Sequence, residues 1–97
     1  GPDLVPWTAY ERIGPLPVEP ERPYQVIVPA DQAMGATVFY RTGNDSKGIR
    51  STRWRARNTV APGKVIVTDK PLVELLVVYP LPVVEQHFQR AVVRPLE

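Results

Sequence analysis

The sequence predicts an all-β domain, a small sandwich or partly open barrel of about 6–7 short strands, with an extended Pro-rich N-terminal arm and at most one short helix near the C-terminus. Three observations carry this. The 12 prolines exceed twice the roughly 5% average usage, and proline removes a helix donor and clashes with the preceding turn. From Tyr24 onward, β-branched and aromatic runs alternate with turn formers at roughly 8–12-residue spacing. With 43% hydrophobic residues the chain is not compositionally disordered, and its 97 residues leave too little interior for a second core.

Residues 1–23 read as the arm and 24–97 as a single β domain. Proline pre-sets φ and drives its predecessor towards extended geometry, and "GPLPVEPERP" at 14–23 is the densest proline stretch. Leu4, Val5, Trp7, Tyr10, Ile13, Leu16 and Val18 are too apolar for a free linker. The arm is therefore expected to dock on its own domain or on a neighbouring subunit, with Trp7 and Tyr10 as candidate anchors. The Gly1–Pro2 opening resembles a protease scar and Leu96–Glu97 a vector remnant; either would make this an excised piece of a longer protein.

Within 24–97, "YQVIVPA" is a short β-branched strand, "DQAMG" a turn and "ATVFYRTG" the next strand. "NDSKG" at 44–48 supplies a hairpin loop. "IRSTRWRARNTV" continues as a strand, "APG" turns tightly, and "KVIVTD" is expected to pair back on it. After the turn "DKP", the almost uniformly apolar "LVELLVVY" reads as a central strand covered on both faces. In the tail, Val84, Phe88 and Ala91 share one helical face, so a short helix is expected at 83–91, followed by an extended "AVVRP". The expected core contains Val26, Val28, Trp54, Val65, Val67, Leu75, Val77 and Phe88.

Charge is unevenly spread. The net charge is +2, yet Arg41, Lys47, Arg50, Arg53, Arg55, Arg57 and Lys64 are opposed by Asp45 alone, giving that segment +6 against −4 elsewhere. On a strand, Arg53, Arg55 and Arg57 fall on one face, about 6.5–7 Å apart, with Trp54 on the other. Such a ladder is either solvated or neutralised by acids in the same domain, grips an acidic protein surface, or contacts phosphates. A single-strand binder places aromatic platforms beside its cations. Trp54 is expected to point away from this ladder, leaving Phe39 or Tyr40 as the nearby stacker. Arg41, Lys47, Arg50, Arg53, Arg55 and Arg57, with Trp7 and Tyr10, are the candidate binding residues.

Nothing in the chain assembles a catalytic group. His87 is the single histidine and the chain has no cysteine, so there is no disulfide framework and no thiolate metal site. Asp31, Asp45 and Asp69 each sit in a turn, where aspartate bonds its own backbone. "GNDSKG" lacks the loop length and the lysine–serine order of a phosphate cradle, and too few ligands for a calcium loop. The longest apolar run, Leu75–Val84, is about half a membrane span and holds two prolines. No catalytic residue, cofactor, metal or small-molecule substrate is expected.

The expected role is a non-catalytic protein-binding or assembly domain, a structural component of a larger complex or homo-oligomer. It would dock through the arm and the basic strand face, with a protein or identical subunits as partner. The alternative is a sequence-tolerant single-stranded nucleic-acid-binding module using Arg53, Arg55 and Arg57.

Overall fold

The computed structural model describes residues 9–14, 16, 19, 21–42, 54, 57–70, 72–80 and 88–96. Among them lie strands β1 Ala9–Ile13, β2 Tyr24–Ile27, β3 Thr37–Thr42, β4 Thr59–Val60, β5 Val65–Ile66, β6 Leu72–Tyr79 and β7 Val92–Pro95, and one helical turn, α1 Ala30–Ala33. All pairings are antiparallel, in a four-stranded sheet of order β1-β6-β3-β4 and a three-stranded sheet of order β5-β2-β7. The all-β expectation holds, in its sandwich form.

β6 lies centrally, between β1 and β3, as its two-sided apolar composition predicts. Leu75, Val77 and Tyr79 point inward and join Tyr24, Val26 and Ile66 of the other sheet in one core. Each fully buried residue of this kind contributes about 1.5–3 kcal/mol relative to exposure. Glu74 and Leu76 point the other way. Arg41 is opposite Glu74 but Thr42 is opposite Leu72, so Val73 is an extra residue in β6. This bulge restores Leu72 to the core while leaving Glu74 outward; without it the two would share a face.

β1 comes from the Pro-rich segment. All five of its residues pair with β6, from Ala9 opposite Tyr79 to Ile13 opposite Leu75. Ala9 and Ile13 pack against the core, Glu11 is buried and Tyr10 is exposed on the outer face.

Several local expectations are corrected. "KVIVTD" does not pair back on the preceding strand: β4 pairs with β3, whereas β5 pairs with β2. The turn between them crosses from one sheet to the other. Its Lys64 N–H donates to the Ala61 carbonyl at 3.2 Å, and Gly63 takes φ +82, which a side chain would resist. Gly63 N–H then donates to the Val26 carbonyl at 3.0 Å and the Gln25 amide donates to the Gly63 carbonyl at 2.6 Å, tying the turn to β2.

The same crossing sets the face of β5. Ile66 takes the core position, and Val65 and Val67 are exposed rather than buried. Val26, Val28, Leu75 and Val77 are in the core as expected, and Phe88 packs against it. The strand expected through residue 60 is interrupted, since Arg57 and Asn58 form a turn and bend before β4.

In the tail, residues 88–91 are irregular rather than helical and lead into β7; residues 83–87 lie outside the described residues, as does the 44–48 loop. The backbone of 88–91 has long-range partners instead of helical ones, with Gln89 N–H donating to the Gln32 side chain and Ala91 N–H to Glu11. The helical turn instead falls at Ala30–Ala33, within the segment expected to be a plain turn. Gly35 closes it at φ +73, where a Cβ would lie 3.0 Å from Pro80 Cγ.

Candidate functional site

On the outer face of the four-stranded sheet, Glu74 serves two arginines. Arg41 Nη1 lies 3.3 Å from its Oε1 and Arg12 Nη2 lies 3.3 Å from its Oε2. Strand register explains this, because Arg41 is directly opposite Glu74 and Arg12, opposite Leu76, is its diagonal neighbour. The Trp54 ring covers both cations, 4.2 Å from the Arg41 guanidinium carbon and 5.9 Å from that of Arg12.

Trp54 is buried, as is Leu76, yet neither belongs to the core between the sheets. The tryptophan therefore forms a second apolar layer on the far side of the sheet. It does not point away from every arginine: it meets those of β1 and β3. The Arg41 side chain is 13% exposed and that of Arg12 51%, so the Arg41 contacts are the stronger pair. This cluster joins three strands and residue 54, and reads as structural.

A second polar group closes the seam between the arm and the tail. Tyr79 Oη donates to Glu11 Oε1 at 3.2 Å, and Ala91 N–H donates to the same oxygen at 3.1 Å. Gln32 makes a two-way bridge to Gln89, its Nε2 donating to the carbonyl at 2.9 Å and its Oε1 accepting from the N–H at 2.9 Å. Burial, then the charge of Glu11 and its hydrogen bond, push the Tyr79 hydroxyl well above the usual tyrosine range, with Gln32 acting in the opposite direction. Among the described residues no buried side-chain polar atom lacks a partner. A closed network of this kind holds β1 in place.

Two further features of the described surface face solvent. The first is the outward face of the three-stranded sheet. Val65 is opposite Gln25, Arg94 is also opposite Gln25, and Val92 is opposite Ile27, so all five share that face. Ile27, Val65 and Val92 are 38–60% exposed there, and Val67, just past the end of β5, is also exposed and lines the cleft described next.

The second is a cleft of about 600 Å³ at the sandwich end where β3, the approach to β4 and the β5–β6 turn converge. Tyr40, Thr42, Arg57, Asn58, Asp69 and Lys70 give it a polar lining. Its floor is fixed locally, with the Thr68 hydroxyl donating to the Lys70 carbonyl and Glu21 N–H donating to the Thr68 carbonyl.

The structure thus separates the sequence-predicted binding residues. Arg41 is engaged in the tryptophan cluster, Arg57 lines the cleft, and Tyr10 is exposed on β1. Trp7, Lys47, Arg50, Arg53 and Arg55 lie outside the described residues. Sequence reasoning did not single out Lys70 or the Ile27–Val92 face, and read Asp69 only as a turn residue. The exposed face had a signal in principle, the alternation of β2 and β7, but the parity of β5 becomes legible only once its partner is known.

Among the described residues no group of three or more His, Asp or Glu side chains is placed to hold a metal, and no helix is long and apolar enough to cross a membrane. No known protein family, curated protein or solved structure matches this chain.

Proposed function

We propose that this is a non-catalytic docking domain, a structural component of a larger protein assembly. The observation that carries the reading is the outward face of the three-stranded sheet. Three exposed aliphatic side chains, Ile27, Val65 and Val92, stand on it beside Gln25 and Arg94. An antiparallel sheet normally alternates apolar inside with polar outside. Ile27, Val65 and Val92 break that alternation together, and a cluster of aliphatic side chains at the surface supports a site where another protein completes the layer.

Residues 9–13 of the arm pair with β6 and serve the domain itself, while Tyr10 among them stays exposed for docking. The nucleic-acid alternative gains Tyr40 beside Arg57 in one cleft, but Asp69 lines the same cleft.

Site-specific photocrosslinking tests the reading. A photoreactive residue at Val65 or Val92, in cells that natively express the chain, is expected to give one discrete protein adduct from both positions. The same residue at Asp31, which is exposed and lies off this face, is expected to give none. Absence of any discrete adduct from Val65 and Val92 overturns the reading.

A further inference from the structure

We propose that the cleft beside β3 receives a carboxylate side chain of the partner protein, held between Arg57 and Lys70. This rests on the docking reading and names the chemistry of one contact within it.

Among the described residues, Arg12 and Arg41 share Glu74 and Arg22 meets Glu19, but Arg57 and Lys70 have no carboxylate within ion-pair distance. Both line one cavity of about 600 Å³, reached from different segments of the chain. An anion in this cavity is attracted by both cations and gains a charge-assisted hydrogen bond from each that it reaches. Tyr40 and Asn58 add a hydroxyl and an amide to the same wall, both able to donate to an oxyanion. The Thr68 hydroxyl on the Lys70 carbonyl fixes the backbone from which that ammonium projects.

The surrounding charges choose between sources of anion. Asp69 lies in the lining, and Glu21, exposed, is hydrogen-bonded through its N–H to the Thr68 carbonyl next door. A nucleic-acid strand brings a phosphate at every nucleotide and would run past these acids. A protein segment can present a single acidic residue with a basic neighbour, which suits two cations beside Asp69. Mixed charge of this kind is complementary to a mixed-charge protein surface.

The test is a titration of the full chain, followed by amide and arginine side-chain NMR, with the blocked peptide Gly-Glu-Lys-Gly as probe. Gly-Gln-Lys-Gly and an oligothymidylate strand are the comparisons. The expected result is shifts confined to Arg57, Asn58, Asp69 and Lys70, and binding that weakens about tenfold in Arg57→Gln and in Lys70→Gln. The melting temperature of both variants should be unchanged, and the glutamine peptide should shift nothing. Three results overturn the proposal: no shifts with the glutamate peptide, affinity indifferent to both substitutions, or oligothymidylate binding the same residues more tightly. Failure here with intact crosslinks from Val65 and Val92 sinks the cleft alone, whereas loss of those crosslinks sinks the docking reading.

Discussion

Arg41 stacks on Trp54 at 4.2 Å and, with the same guanidinium, meets Glu74 at 3.3 Å. One partly buried cation thereby links β3 to β6 and to residue 54. A desolvated cation–π contact is worth up to about 2 kcal/mol. The double-mutant cycle of Arg41→Met and Trp54→Leu, measured by urea unfolding, is expected to give a coupling energy of about 1–2 kcal/mol. A coupling near zero would show that the two residues only share space.

Glu74 is the hinge of that cluster's charge balance. Glu74→Gln leaves Arg12 and Arg41 facing each other, and should destabilise by about 1–3 kcal/mol. Arg12→Gln, half exposed, should change stability by under about 1 kcal/mol. The order of unfolding midpoints among these variants checks this account, and a larger effect from Arg12 would contradict it.

Tyr79 predicts the behaviour in alkali. Its folded pKa is raised above the unfolded value of about 10, so the folded state holds the phenol proton more tightly. The associated stability is fully present below about pH 10 and is lost as pH rises towards the folded value. Unfolding midpoints should fall above about pH 10 in the wild type, and less steeply in Tyr79→Phe. Ultraviolet titration should show one of the 4 tyrosines ionising only with unfolding.

Glycines 35 and 63 separate strain from crowding. Both have positive φ, but a Cβ at Gly35 meets Pro80 at 3.0 Å whereas one at Gly63 meets nothing within 4 Å. Gly63→Ala should cost about 1–2 kcal/mol from backbone conformation, and Gly35→Ala more than that. Equal thermal shifts would contradict the proline contact.

Removing residues 1–20 deletes β1, strips one edge from β6 and leaves Tyr79 without Glu11. A loss of about 3 kcal/mol or more, a large share of a small domain's total, is expected from calorimetry. An unchanged melting point would show that β1 is dispensable.

The all-β class, the position of β6 at the centre of its sheet, the start of β2 and the extent of β3 were legible because they rest on local composition and two-residue periodicity; β2 ends at Ile27, short of the expected Ala30. The core at Val26, Val28, Leu75 and Val77 followed from the same signals. What was not legible depends on distant partners. "KVIVTD" carries an alternation, but only the Gly63–Val26 bond decides which sheet it joins and therefore that Val65 faces out. Residues 88–91 show helical spacing, yet Glu11 and Gln32, far away in sequence, take their backbone N–H groups. Trp54 was rightly expected to be buried, but a hydrophobic residue does not announce which side of a sheet it covers. Arg57 was recognised as a candidate from its neighbours in sequence, while its companion Lys70 lies thirteen residues on and becomes visible only in the folded cleft.

The apparent size of the 97-residue chain, added in purified, labelled form to extracts of the cells it comes from, tests the docking account most directly. The wild type should migrate in a complex well above the 10.9 kDa of these residues. The double variant Val65→Glu, Val92→Glu alters only exposed positions, should keep its melting temperature, and should migrate as the free chain. A wild type that runs at monomer size, or a variant that stays in the complex, would contradict the claim that this sheet face is where the domain docks.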